Sequence, residues 1–341
     1  MRVRTTGGVT TEERIMLIVT LWVALLAAPF AVEAQPAGRV PRVGYLSPLS
    51  GSDPQVQRSL DVFRQTLREL GHVEGQSVAI EYRFAEGKYE RLPDLAAELV
   101  HLKVDVIVAT TGVPPVQAAQ RATKTIPIIM TGPADPVAAG LVASLARPGG
   151  NITGLTIISH ELVGKELELL REVVPKVSTV GVLWNPTNPG NVTQLRGAEA
   201  AARTLGMRLQ PVEARSPGEI DRAFAAMTRE RAGALLVLLD GVLLEQREMI
   251  AELAAKNRLP AVYGLRRHVE AGGLMAYSAN ELDLTRRAAG YVDRILRGAK
   301  PADLSVEQPT TFELVINMRA ARALGLTLPP SLLLRADQII E

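Results

Sequence analysis

The chain has 341 residues, no cysteine, and 38 basic against 36 acidic side chains, for a formal net charge of +2. Near-neutrality gives no electrostatic footprint for nucleic acid, and the missing cysteine removes disulfides, thiol nucleophiles and thiolate metal sites together. The histidines at 72, 101, 160 and 268 stand at no metal-ligand spacing, so neither a metal nor another cofactor is expected.

The first element reads as a secretory signal. Arg2, Arg4 and Arg14 lead an uncharged run from Ile15 to Ala28 that is too short to span a bilayer comfortably. Pro29 breaks that run, and Val32-Glu33-Ala34 places small residues where signal peptidase inspects the chain. Residues 1–34 are therefore expected to be removed by cleavage near Ala34-Gln35, leaving a periplasmic protein. Without cysteine at the cut there is no lipid anchor. Translation from Met16 would delete the basic lead, and both starts stay open.

From Val43 onward, apolar β-type runs alternate with helical patterns. Strands are predicted at 42–46, 78–82, 104–109 and 126–130. The helices between them carry Leu60, Phe63, Leu67 and Leu70, then Leu92, Leu95, Leu99 and Leu102, then 115–122. Val104 to Ala109 is nearly continuous in apolar residues, as in a strand covered on both faces. The β-α-β order calls for a parallel sheet with helices on both sides. After Arg147-Pro148-Gly149-Gly150, residues 151–156 read as an extended linker.

The same plan then repeats. Strands are predicted at 180–184, 207–212, 234–239 and 259–263, with helices up to Leu205-Gly206, over 220–229 and over 243–256. Gly71 and Gly206, like Pro127 and Pro260, stand roughly 135 residues apart, the mark of two similar α/β units. Leu274 to Tyr277 reads as a return strand, and the helix 282–297 is expected to pack back on the first half. Lobe 1 is thus read as 41–154 plus about 278–305. Lobe 2 is 155–277 plus about 310–341. Several crossings between lobes predict a hinge.

Ligands collect beyond the carboxyl ends of parallel strands, so the residues just after each strand are the site candidates. They are Ser47, Thr111, Gly112 and Asp135 in the first half, and Asn185, Asp240, Tyr263, Tyr277 and Ser278 in the second. Hydroxyls and helix N-termini suit a carboxylate, an aspartate suits an ammonium group, and a tyrosine suits an apolar or aromatic portion. That set points to a small zwitterion such as an amino acid. Local roles compete: Asp135 and Asp240 also fit helix or turn caps, Asn185 precedes a proline, and tyrosines also build cores. No phosphate loop, dinucleotide turn or nucleophile elbow occurs.

The segments FRQTLRELGHVEG (63–75), IEYRFAEGKYERLPDLAAE (80–98), DPVAAGLVASLARPGGNITG (135–154), VLWNP (182–186) and EQPTTFELVINMRAARALGLTLPP (307–330) carry a family likeness. The chain resembles the ABC-transporter substrate-binding proteins of the tryptophan/tyrosine-type group, related to type I periplasmic binding proteins. The resemblance implies an α/β fold of two similar doubly wound parallel-sheet lobes on a multi-strand hinge. It further implies a monomeric, non-enzymatic receptor that closes on a small molecule and presents it to an inner-membrane ABC permease. Ala276-Tyr277-Ser278 departs from the family's usual Ser-Tyr-Gly, so ligand identity does not carry over. Two other readings stand beside it: an exported enzyme using Asp135 and Asp240 as an acid–base pair, and a sensory ligand-binding domain.

Overall fold

A computed structural model describes residues 39–157 and 159–341, without the side chains of 159–161; the signal peptide read over 1–34, and both candidate starts, lie outside the described residues. The chain enters through β1 (Arg42–Ser47), α1 (Pro54–Glu69), β2 (Ala79–Phe84), α2 (Leu92–His101), β3 (Val106–Thr110), α3 (Val113–Ala122), β4 (Ile128–Thr131) and β5 (Ile152–Leu155). These strands form a five-stranded parallel sheet in the order β2-β1-β3-β4-β5. All five residues of β3 are buried, as its apolar run requires.

Local chemistry sets the helix ends. Asp53 caps α1 by accepting the Gln55 and Val56 N–H groups, with Pro54 as the first helical residue. Val56, Leu60, Phe63 and Leu67 then form the buried stripe of α1. Gly71 and Gly206, the repeated landmarks, both adopt positive φ (93° and 67°) where a helix stops.

Residues 152–155 do more than link. They add a fifth strand, because Gly154 lets two backbones meet: a Cβ there would lie 2.3 Å from the Met130 carbonyl oxygen, and its φ is +127°.

The second lobe runs through α4 (Ser159–Val173), β6 (Thr179–Trp184), α5 (Pro189–Leu205), β7 (Arg208–Glu213), α6 (Pro217–Arg229) and β8 (Ala234–Val237). It continues with α7 (Gly241–Glu245), α8 (Arg247–Lys256), β9 (Ala261–Tyr263), α9 (Arg266–Glu270) and β10 (Met275–Ala279). After α10 (Glu281–Leu296) come β11 (Phe312–Asn317), α11 (Met318–Ala323), α12 (Pro330–Leu333) and β12 (Gln338–Ile340). The seven-stranded sheet has the order β12-β11-β10-β9-β8-β6-β7. β11 runs antiparallel to β10, and β12 pairs with β11 at the edge.

The helix expected over 243–256 is two helices. Gln246, at φ −102° and ψ 18°, bonds its N–H to Leu243 and Leu244, and the bend aims Glu245 and Arg247 at the first lobe.

α10 belongs to the core under the first sheet. Ala288, Ala289, Val292 and Ile295 pack with Val43, Phe63 and Leu67, and His72 meets Asp293 at 2.8 Å. Three segments therefore cross between lobes: β5 to α4, β10 to α10, and α10 to β11. They are stitched together. Glu307 N–H donates to Gly154 O (2.9 Å), Thr156 N–H to Glu307 O (3.0 Å), and Asn280 N–H to Thr311 O (3.4 Å).

Candidate functional site

The carboxyl ends of β1, β3 and β4 face the second lobe across a cavity. Ser47, Thr110, Thr111, Thr131 and Gly132 form its first-lobe wall, with Tyr45, Leu49 and Val56 beside them. Ser47 Oγ accepts the Leu49 N–H at 3.2 Å, which leaves its own proton to donate. Thr111 holds φ at +61°, a position a β-branched residue rarely tolerates. Gly112 follows at +103° and caps α3. Tyr45 is buried edge-on against Phe63, with ring centroids 5.7 Å apart, and burial pushes its hydroxyl pKa up.

The opposite wall is apolar except for one charge. Leu162, Leu239, Gly264 and Leu265 line it, together with Arg267. The Arg267 side chain is only 7% exposed; its Nε donates to Glu281 Oε2 at 3.1 Å, and Nη2 reaches Ser59 Oγ at 3.4 Å. Its Nη1 is buried with no protein partner. Glu281 opens α10, where the helix N-terminus favours a carboxylate. Arg267 and Glu281 are the charged side chains lining the cavity, so its wall is neutral in sum but carries one charge of each sign.

The residues singled out from sequence fall in different places. Ser47 and Thr111 line the cavity. Gly112 lines a smaller hollow with Asn188, Gly190 and Gln194. Asp135 is half-buried and caps a turn by accepting the Ala138 N–H at 3.0 Å. Asn185 is fully buried, donating to Asp240 Oδ1 (3.2 Å) and accepting from Thr187.

Asp240 takes five hydrogen bonds, from Asn185, Asn188, Tyr89, Val242 N–H and Leu243 N–H. Burial pushes its pKa up against the pull of those donors. Tyr263 is buried in the second lobe, stacked 4.9 Å from His268. Tyr277 stacks on Phe312 at 6.0 Å. Ser278 is buried opposite Glu313 in the β10–β11 register, its hydroxyl unpartnered. None of these last five lines the cavity.

Strand ends alone do not reveal Arg267 and Glu281. Each sits in the first turn of the helix that follows a strand, α9 after β9 and α10 after β10. Both stand within one helical turn of the helix start that follows the strand. Among the described residues no group of three or more histidine, aspartate or glutamate side chains could hold a metal ion. Nor, among them, is any helix long and apolar enough to cross a membrane.

Comparison with known proteins adds the family. A curated tyrosine-binding protein of Clostridioides difficile is 27% identical over 273 residues, covering 80% of this chain and 78% of that protein. The structure of an ABC domain in complex with L-Trp from Streptococcus pneumonia superposes with a TM-score of 0.81 at 28% identity, over 88% of this chain and 99% of the other. The ligand-free, open structure of a Clostridium difficile substrate binding protein with adhesive properties scores 0.64 at 25% identity, again over 88% and 99%. The sequence pattern described as ABC transporter substrate binding protein matches residues 48–340. The chain is therefore a member of the ABC transporter substrate binding protein family, with the two-lobed α/β fold of type I periplasmic binding proteins.

Proposed function

We propose that this protein is the solute receptor of an ABC importer, capturing an aromatic α-amino acid between its lobes and handing it to a membrane permease outside the cytoplasm. One observation carries the ligand class: the buried Arg267 side chain lines the cavity beside the Glu281 carboxylate, and its Nη1 has no protein partner. A buried donor left unpaired is costly, and an α-carboxylate would satisfy it with charge-assisted bonds. Glu281 and the hydroxyls of Thr111 and Thr131 then face the ammonium group and the remaining carboxylate oxygen. Tyr45, Leu49, Val56 and Leu284 offer an apolar end for a ring. A neutral wall with opposed charges suits a zwitterion better than a sugar or an anion. The tyrosine-binding relative and the L-Trp complex support the same class.

Titration calorimetry with L-tryptophan and L-tyrosine, against tryptamine and tyramine, tests this reading. The amino acids are expected to bind at one site, and the amines, which lack the carboxylate, at least tenfold more weakly. Arg267→Met is expected to lose about 10- to 100-fold in affinity for the amino acids. Equal binding of amine and amino acid, or no binding of either, would overturn the assignment. The secreted protein is expected to begin at Gln35, as N-terminal sequencing would read.

A further inference from the structure

One close approach of the two lobes lies outside the cavity. Tyr89, on a 3-10 turn of the first lobe (Tyr89–Arg91), puts its hydroxyl into the N-terminus of α7 in the second. It donates to Asp240 Oδ2 at 2.8 Å and accepts the Gly241 N–H at 2.9 Å. Asp240 caps the same helix, so a side chain of one lobe completes the cap of a helix in the other. Gly241 allows the approach. A Cβ there would lie 3.1 Å from Pro48 Cγ, 3.1 Å from Tyr89 Oη and 3.3 Å from Pro48 Cβ, all first-lobe atoms.

Gly241 is not among the glycines with positive φ, so its backbone does not demand glycine; the neighbouring lobe does. Ser50 N–H donates to Glu245 Oε1 at 2.8 Å and Arg247 pairs with Asp53 at 2.8 Å along the same row. Tyr89, Asp240, Gly241, Glu245 and Arg247 all stand off the cavity lining.

We propose that the Tyr89–Gly241 contact is a clasp that holds the lobes closed whether or not solute is present, and so sets affinity without touching the solute. Contacts made only in the closed arrangement shift the open–closed equilibrium, and a receptor closed for a fraction f of the time binds with an apparent Kd of the intrinsic Kd divided by f. Weakening the clasp therefore lowers affinity for every solute by one common factor. The affinity effect rests on the receptor reading above; the effect on closure does not.

The absence of native cysteine lets one introduced cysteine per lobe, at exposed Lys124 and Glu199, carry spin or fluorescent labels. Distance distributions are then measured with and without L-tryptophan. Without solute, Tyr89→Phe and Gly241→Val are expected to shift the population to longer lobe-to-lobe distances than in the unmutated protein. Affinities for L-tryptophan and L-tyrosine should fall by the same factor, about fivefold for Tyr89→Phe and about tenfold for Gly241→Val. Thermal melting checks that each variant folds, and the conservative Tyr89→Phe stands if Gly241→Val does not. Solute-free distances unchanged in the folded variants would overturn the clasp. Shifted distances in a protein that binds neither amino acid would keep the clasp and refute the receptor reading.

Discussion

Thr111 and Thr131 in the first lobe, and Asn185 and Asp240 in the second, all stand at or just beyond the carboxyl ends of parallel strands, yet their polar groups meet opposite fates. The threonine side chains line the cavity. In the second lobe Asn191 Oδ1 accepts the Asn185 N–H (2.8 Å), while Asn191 Nδ2 and Gln194 Nε2 both donate to Leu239 O (2.8 and 3.3 Å). Asn185 and Asn188 in turn hold Asp240. The strand-end rule locates a ligand cleft, but hydrogen-bond satisfaction decides which groups within it remain free. One lobe contributes hydroxyls; the other contributes a stiff, self-satisfied face and a single guanidinium.

Breaking the second lobe's network is the harshest test of that contrast. Asn191→Ala leaves the Asn185 N–H without its side-chain acceptor and takes a donor from Leu239 O, at a cost of about 3 kcal/mol in stability. Urea unfolding measures it, and a loss below about 1 kcal/mol would mean that water replaces the network.

A carboxyl in the same lobe gives the next effect. Burial raises the Glu166 pKa to about 8 from an ordinary 4.5, and its Oε2 has no partner. The folded state then binds more protons than the unfolded state between those values, so this residue's contribution to stability is full below pH 4.5 and lost as pH rises towards 8. Glu166→Gln should therefore raise the melting temperature at pH 8 and leave it nearly unchanged at pH 4.5. The smallest effect sharpens the first-lobe side. Thr111→Gly relieves a strained backbone and should gain about 1 kcal/mol while weakening amino-acid binding a few-fold. Stability and binding would move in opposite directions there, whereas at Asn191 the loss is one of stability.

Much of the fold is written locally. Apolar runs such as 104–109 and helix stops such as Gly71 and Gly206 act within a few residues, so the doubled α/β plan is legible from them. β5 is not, because Ile152-Thr153-Gly154-Leu155 becomes a strand through the approach of Gly154 to Met130, a tertiary event. β11 and β12 escape for a like reason: their direction is set by where α10 leaves the chain, which no periodicity encodes. Within the site, Ser47 and Thr111 follow from strand ends. Arg266 and Arg267 look alike in sequence, but their side chains are 23% and 7% exposed. Only packing tells the partly exposed cation, paired with Glu270 and Glu313, from the buried one.

The stitched crossing at Gly154, Thr156, Asn280, Glu307 and Thr311 behaves mechanically as a laminated flexure. Three backbone plies bonded side by side bend together about one axis and resist shear and torsion, as a single strip would not. A closure of the lobes would thereby follow a single angular coordinate and reach their far surfaces as one rotation.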